Sequence, residues 1–212
     1  MESIRGAHAH EIDAHALAAR LAGYAHILID LGTGDGRFVR HAAASCPATF
    51  AIGIDACREN LRESSRRAPP NALYLIANAL ALPGGLDALA THLTVNFPWG
   101  SLLAALLTGD PALIERLAGL ARPGTRIEVR LNAGALAEAG WPLTEGGRRV
   151  RQALRAGGFD MGPAVALGPR ELRACPTTWA RRLAFGRDPY ALELRGERAP
   201  RPIAAAAHAY QT

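Results

Sequence analysis

The chain has 212 residues, enough for one substantial α/β domain, and its 24 basic residues against 19 acidic ones give a formal charge of +5. All 24 are arginine, and the excess lies in the second half: residues 1–100 hold 8 Arg against 9 acids, residues 101–212 hold 16 Arg against 10. No stretch reaches the roughly 18 apolar residues of a membrane span, no basic leader precedes an apolar core, and Cys46, Cys57 and Cys175 form no C-x-x-C or cysteine set with His8, His10 and His15, so the expectation is a reduced, cytoplasmic protein without membrane, disulfide or metal.

In chain order, residues 2–15 are too polar for core and are expected to form a short arm or hairpin, followed by a helix over 15–21. Strands are then expected near 27–31, 50–54, 72–76, 92–97, 126–132, 162–167 and 189–195. Helices are expected near 36–46, 57–67, 101–107, 110–121, 147–157 and 169–174. Ser101 reads as an N-cap, and Arg122-Pro123-Gly124 as a helix stop. The alternation predicts an α/β fold, a seven-stranded, mostly parallel, doubly wound sheet with helices on both faces. A single domain over 1–198 is expected, with 1–24 as N-terminal arm and helix and the Gly-rich stretch 133–146 as an inter-strand linker. Residues 199–212 read as a loose Pro/Ala tail.

The first apolar run, Ile27-Leu28-Ile29, leads into Asp30-Leu31-Gly32-Thr33-Gly34-Asp35-Gly36. Three glycines remove side chains where backbone N–H groups must approach a ligand before a helix starts. Pyrophosphate binders space their glycines G-x-G-x-x-G; here the glycines alternate and Arg37 follows. Asp30 and Asp35 suit a ligand end that carries positive charge. Asp55, closing the run Ala51-Ile52-Gly53-Ile54, stands where a carboxylate accepts hydrogen bonds from ribose hydroxyls. S-adenosylmethionine is the ligand this set predicts, with a purely structural strand-to-helix turn as the competing reading. Open α/β sheets bind ligands along the carboxyl ends of their strands, which brings Ala77-Asn78-Ala79-Leu80 and Phe97-Pro98-Trp99-Gly100 to the same edge. The expected cofactor residues are therefore Asp30, Gly32, Thr33, Gly34, Asp55, Ala56, Asn78, Ala79 and Leu80. Asn78 is either an amide paired to the adenine edge or a plain loop residue.

After the fourth strand, where methyltransferases of exocyclic amines often carry Asp/Asn-Pro-Pro-Tyr, this chain has Asn96-Phe97-Pro98-Trp99-Gly100. Together with the glycine loop and Thr177-Thr178-Trp179-Ala180-Arg181-Arg182-Leu183, it resembles the aminoglycoside-resistance methyltransferases of the Kam/Npm type. The resemblance runs from the strand at Ile27 to the last strand near Leu194. It implies a Rossmann-like class I fold using S-adenosylmethionine and methylation of N1 of adenine 1408 in the decoding site of 16S rRNA. It also implies that Trp99 and Trp179 clamp the flipped adenine, with Arg182 and Arg187 beside them and Arg181 adjacent. Two departures are visible: Met1-Glu2-Ser3-Ile4-Arg5-Gly6 is less basic than the family's N-terminal hairpin, and the link after Leu131 is short.

The residues bear on the same chemistry independently. An enzyme that reaches the Watson–Crick edge of a paired base must take it out of the stack, and each aromatic that restacks it returns about 1–3 kcal/mol. Tryptophan is ordinarily a buried residue, yet Pro98 and Gly100 flank Trp99, and Thr178, Arg181 and Arg182 flank Trp179. Trp141 lacks such neighbours and reads as packing or linker. Pro98 is expected to offer its carbonyl, and Thr178 its hydroxyl, to the adenine amino group. Adenine N1 has a lone pair, so no general base is required. Arg66, Arg67, Arg148 and Arg149, with Arg151 and Arg155, are phosphate-contact candidates or solvated helix faces. The expected partner is 16S rRNA in the small ribosomal subunit, met by a monomer. Another rRNA or tRNA base, or a small molecule, stays open on residues alone.

Overall fold

The structure, a computed structural model, describes residues 1–186 and 190–200. Strands β1 (Glu2–Arg5) and β2 (His8–Glu11) form an antiparallel hairpin closed by Gly6 at φ +63°. Helix α1 (Ala14–Leu21) follows, capped by Asp13, whose Oδ1 accepts from the Ala16 N–H at 2.7 Å. The chain then alternates through β3 (His26–Leu31), α2 (Arg37–Ser45), β4 (Thr49–Asp55), α3 (Arg58–Arg66), β5 (Ala72–Ile76) and β6 (Ala90–Asn96). Next come α4 (Gly100–Thr108), α5 (Pro111–Leu120), β7 (Ala121–Asn132), α6 (Ala133–Glu138) and α7 (Leu143–Ala156). The last elements are β8 (Phe159–Met161), β9 (Val165–Leu167), α8 (Pro169–Ala174), α9 (Thr178–Phe185) and β10 (Ala191–Arg198).

The strands build one mixed sheet in the order β2-β1-β5-β4-β3-β6-β7-β10-β8, with β9 also paired to β10. Its centre, β5-β4-β3-β6-β7, is parallel, and Ile29, Ile52, Ile54 and Leu75 are fully buried there. Both faces are covered, as parallel strands require. One core cluster packs β3, β4 and β6 against α1, α4, α5 and α7; a second packs Val39 and Ala43 of α2 and Leu61 of α3 on the opposite face. A third gathers Phe97, Leu172, Cys175, Ala180 and Ala191 beneath α8 and α9.

The expectation of seven mostly parallel strands is corrected to ten of mixed direction among the described residues. The N-terminal hairpin supplies two, because Ile4 is buried and β1 adds to the edge of β5 through Ser3 and Leu75. Where one strand was expected over 162–167 there are two, β8 just before that stretch and β9 at its end, and they pair with opposite ends of β10. Pro163 has no N–H for a ladder, and Gly162 turns the chain there, donating to Arg195 O at 2.9 Å.

The stretch 133–146, expected as a linker, is largely helical. Asn132 caps α6 by accepting from the Ala135 N–H at 2.7 Å. Its last glycine serves close packing: a Cβ on Gly146, inside α7, would lie 2.5 Å from Leu136 Cδ2 of α6. Two punctuation readings also shift. Trp99, not Ser101, occupies the N-cap of α4. The Arg122-Pro123-Gly124 segment lies inside β7, where the register against β6 slips between Ala90 and His92. Helix α9 has no counterpart among the expected elements. Residues 201–212 of the expected tail lie outside the described residues.

Among the described residues, no helix is long and apolar enough to cross a membrane, and no three His, Cys, Asp or Glu residues are grouped to hold a metal ion. Cys46 and Cys57 are exposed and Cys175 is buried, all as free thiols.

Candidate active site

The carboxyl ends of β3, β4, β5 and β6 open onto a cleft of about 510 Å³. Its floor is the glycine loop. Gly32, Gly34 and Gly36 all have positive φ, at +70°, +58° and +68°, a region in which a side chain is strained. Gly32 and Gly36 are also hemmed in: a Cβ would meet Leu102 Cδ2 at 2.5 Å in the first and Tyr74 Cε1 at 2.4 Å in the second. At Gly34 nothing lies within 4 Å, so its open side faces the cleft. The cradle therefore has two glycines for packing and one for a ligand.

Two carboxylates set the loop's shape. Asp55 accepts from the Gly34 N–H at 2.8 Å and, through its other oxygen, from the Cys57 N–H at 2.9 Å. Asp30 is buried, and its Oδ1 accepts from Thr94 Oγ1 at 2.6 Å and Asn96 Nδ2 at 2.9 Å. Burial raises the Asp30 carboxyl above its ordinary range, against the opposing hydrogen bonds of Thr94 and Asn96 and the charge of Arg130. Asp30 Oδ2 and Thr33 Oγ1 are buried with no partner among the described residues. Such orphaned acceptors normally have one, and an ammonium-bearing ligand on the loop suits them.

Behind Asp30 runs a polar chain whose segments are too far apart in sequence to signal one another. Asn96 Oδ1 accepts from Arg130 Nη1 at 2.6 Å, and Arg130 pairs with Glu128 at 2.5 Å and Glu193 at 2.8 Å. It fixes the amide that in turn orients Asp30.

Ala56, Asn78 and Ala79 line the cleft as expected. Asn78 Oδ1 accepts from the Leu80 N–H at 3.0 Å, shaping its own loop. Leu80 itself is a correction: it does not line the cleft, and its side chain packs on the main core. Apolar surface at that point is drawn inward rather than toward a ligand. Asn60, Asn96, Phe97, Ser101, Leu102 and Thr177 also line the cleft, although none was among the expected cofactor or catalytic residues.

Trp99 and Trp179 meet across this cleft, stacked with centroids 5.2 Å apart and planes 16° from parallel. Each is 39% exposed, so neither is a core residue. Two local devices bring them together. Phe97, at φ +52° and 2% exposed, buries its ring in the cluster with Ala180 of α9, Pro98 stays buried behind it, and the strained turn sends Trp99 outward. Thr177 caps α9, accepting from the Ala180 N–H at 2.9 Å, which starts the helix immediately before Trp179.

Thr178 also lines the cleft. Its hydroxyl donates to Asp35 Oδ2 in the glycine loop, a carboxylate also 3.3 Å from Arg37 Nε. This ties α9 to the loop and uses only the hydroxyl proton, so the oxygen keeps its lone pairs for the amino group of a base.

Of the arginines, Arg182 lines the cleft with its guanidinium 5.3 Å from the Trp179 ring centre. Arg66, Arg67 and Arg148 lie off the cleft and pair along their own helices, with Glu63 at 2.7 and 3.1 Å and with Glu145 at 2.6 Å. Arg149 also pairs with Glu145 and covers Trp141 at 3.9 Å from the ring centre. Arg181 faces away from the cleft into a second cavity. Arg187 lies outside the described residues.

A family model described as NpmA, 16S rRNA (adenine(1408)-N(1))-methyltransferase, matches residues 2–198. A 16S rRNA (adenine(1408)-N(1))-methyltransferase of Escherichia coli is 29% identical over 202 residues, covering 87% of this chain and 92% of that protein. The structure of the 16S rRNA methyltransferase KamB superimposes with a TM-score of 0.85 at 28% identity, over 94% of this chain and 100% of that one. That of the aminoglycoside resistance methyltransferase NpmB1 gives 0.78 at 33% identity, over 93% and 99%.

Proposed function

Because the chain belongs to the NpmA family of 16S rRNA (adenine(1408)-N(1))-methyltransferases, we propose that it methylates N1 of adenine 1408 at the cleft, with Trp99 and Trp179 holding the base. The reaction uses S-adenosylmethionine and confers aminoglycoside resistance. The observation that carries the assignment of roles is the pair of exposed, stacked tryptophans on the rim of a glycine cradle.

S-adenosylmethionine, when bound, supplies an electrophilic methyl group on a sulfonium. Gly32, Thr33 and Gly34 would hold it through backbone, Asp30 would serve its ammonium end, and Asp55 with Ala56 would hold the ribose. Asn78 and Ala79 flank the adenine ring. N1 of the substrate adenine carries a lone pair, so no proton would have to leave before it accepts the methyl group and no general base is required. The protein's task is accordingly placement. Trp99 and Trp179 stack on the two faces of the base, orient N1 and exclude water. Pro98, with no N–H, directs its carbonyl to the adenine amino group. Arg182, beside Trp179, screens the adjoining phosphate. Arg66, Arg67, Arg148, Arg149 and Arg187 contact the RNA backbone more distantly.

The substrate particle in this reading is the intact small ribosomal subunit, met by a cytoplasmic monomer. The test is methyl transfer from labelled cofactor to small subunits, naked 16S RNA and tRNA in parallel, with reverse transcription to locate the modified base. A block at adenine 1408 in small subunits is expected, since N1 methylation obstructs Watson–Crick pairing. Labelling of tRNA alone would overturn the assignment.

A further inference from the structure

Behind α9, on the side away from the cleft, lies a cavity of about 530 Å³ lined by Arg37 and Arg40 with His41 of α2, by Arg67 at the end of α3, and by Arg181. Among the described residues no carboxylate lines it. Two of the four guanidinium groups have an acid at the rim, Arg37 with Asp35 at 3.3 Å and Arg67 with Glu63 at 3.1 Å. Arg40 and Arg181 make no ion pair among the described residues, and Arg40 is half-buried. Four cations around one hollow repel one another, and a half-buried guanidinium ordinarily has a counter-charge. The hollow is built for an anion.

Its position says which anion. Trp179 and Arg181 are two residues apart on α9, so at 3.6 residues per turn they project to opposite sides of the helix. Trp179 faces the cleft and Arg181 the arginine pocket. A flipped nucleotide is swung out about its own backbone, which leaves the neighbouring phosphates outside the base cleft. Arginine meets such a phosphate bidentately, with planar forks that lysine lacks. Neither α2 nor its Arg40 belongs to the set expected to touch RNA.

We propose that the pocket of Arg37, Arg40, Arg67 and Arg181 binds a backbone phosphate of the substrate rRNA, so that the RNA strand grips α9 from both sides, base in front and phosphate behind. This rests on the reading of the cleft as an rRNA methylation site. It adds a docking point that joins α2 and α3 to the helix carrying Trp179, and it makes Arg40 a residue of substrate affinity rather than of chemistry.

The experiment compares wild type with Arg40→Ala, Arg40→Lys and Arg116→Ala, the last an exposed arginine of α5 remote from both cavities. Methyl transfer to small ribosomal subunits is measured against subunit and salt concentration, with direct binding of cofactor-free protein to the same subunits alongside. Arg40→Ala should raise KM for subunits about tenfold, the size expected for one charge-assisted phosphate contact. Cofactor affinity and melting temperature should be unchanged, and the slope of log affinity on log salt should fall by about 1. Arg40→Lys should recover part of the loss, and Arg116→Ala should match wild type. An Arg40→Ala binding curve that superimposes on wild type at every salt concentration overturns the proposal. So does a loss confined to kcat or cofactor affinity. Absence of methyl transfer by wild type overturns the functional reading instead, while the binding arm still judges the pocket.

Discussion

Trp99 and Trp179 occupy each other's faces: their ring centres are 5.2 Å apart, which is the spacing of one aromatic stack. A base held between them needs two such spacings. The rings as they stand are closed on one another, and the substrate adenine has to replace a tryptophan-to-tryptophan contact with two contacts to itself. Opening requires movement of the Pro98-Trp99 turn, of α9, or of both. Replacing either tryptophan by alanine removes one face of the clamp, a loss of about 1–3 kcal/mol in base binding and more in orientation. Trp99→Ala and Trp179→Ala should each abolish measurable methyl transfer to small subunits while calorimetry still records cofactor binding. Wild-type turnover by both variants would rule the clamp out.

Thr178 and Asp35 connect the two halves of the site. The hydroxyl of α9 donates to a carboxylate of the glycine loop, so the position of Trp179 is referred directly to the cofactor cradle. Asp35 is 40% exposed at its side chain, which weakens the tie by solvent screening. Thr178→Val, which keeps shape and removes the donor, should lower kcat roughly three- to tenfold, a loss of about 1 kcal/mol. Thr178→Ser should restore it. Equal activity in Thr178→Val and wild type would show that the hydroxyl does not position α9.

Two glycines of one loop should fail in different ways. Gly34→Ala carries the strain of positive φ, roughly 1–2 kcal/mol, and pushes a methyl into the open cleft. Its melting temperature should fall slightly and its cofactor affinity at least tenfold. Gly36→Ala carries the same strain and also drives a methyl into the buried ring of Tyr74. It should be the less stable of the two by thermal melting. The reverse order of stabilities would contradict the packing assigned to this turn.

Acid should weaken the fold through Glu128. Its carboxyl is lowered to about 2 by His92 and by Arg130, against the opposing effect of burial. The His92 contact is long, 3.5 Å, whereas Arg130 approaches to 2.5 Å, so the guanidinium is the stronger partner. A carboxyl whose folded pKa is depressed stabilises the protein above its unfolded value of about 4.3, and that stabilisation is lost as pH falls toward about 2. Wild type should lose melting temperature more steeply than Glu128→Gln between about pH 5 and pH 2, and should be the more stable of the two at pH 7. Parallel pH profiles would count against the depressed carboxyl.

The local elements were legible because their signals are local. The turn from Asp30 to Gly36 lies between a strand and a helix that are contiguous in sequence, and its glycines are required by backbone geometry whatever packs around them. Asp55 could be read in the same way, from its place at the end of an apolar run. The break at Gly162-Pro163 was missed because the stretch 162–167 was read as one strand through it, and the α6 helix over 133–138 was missed because its glycines were read as a linker. Gly146 of α7 instead admits Leu136, a demand set by a neighbouring helix and not by the segment itself.

What the sequence determined by itself was the alternating α/β order, the glycine cradle with its two carboxylates, and the two tryptophans among polar neighbours. Tertiary structure decided which of these meet. Leu80 turns to the core, Thr178 ties α9 to Asp35, and Arg40 joins Arg67 and Arg181 around one cavity. Trp99 stacks on Trp179 because Phe97 anchors one turn beneath α9. The partners in each case are far apart along the chain. Periodicity and spacing report only what neighbours in sequence demand of the backbone, so such pairings arise when the sheet closes and its strand ends converge.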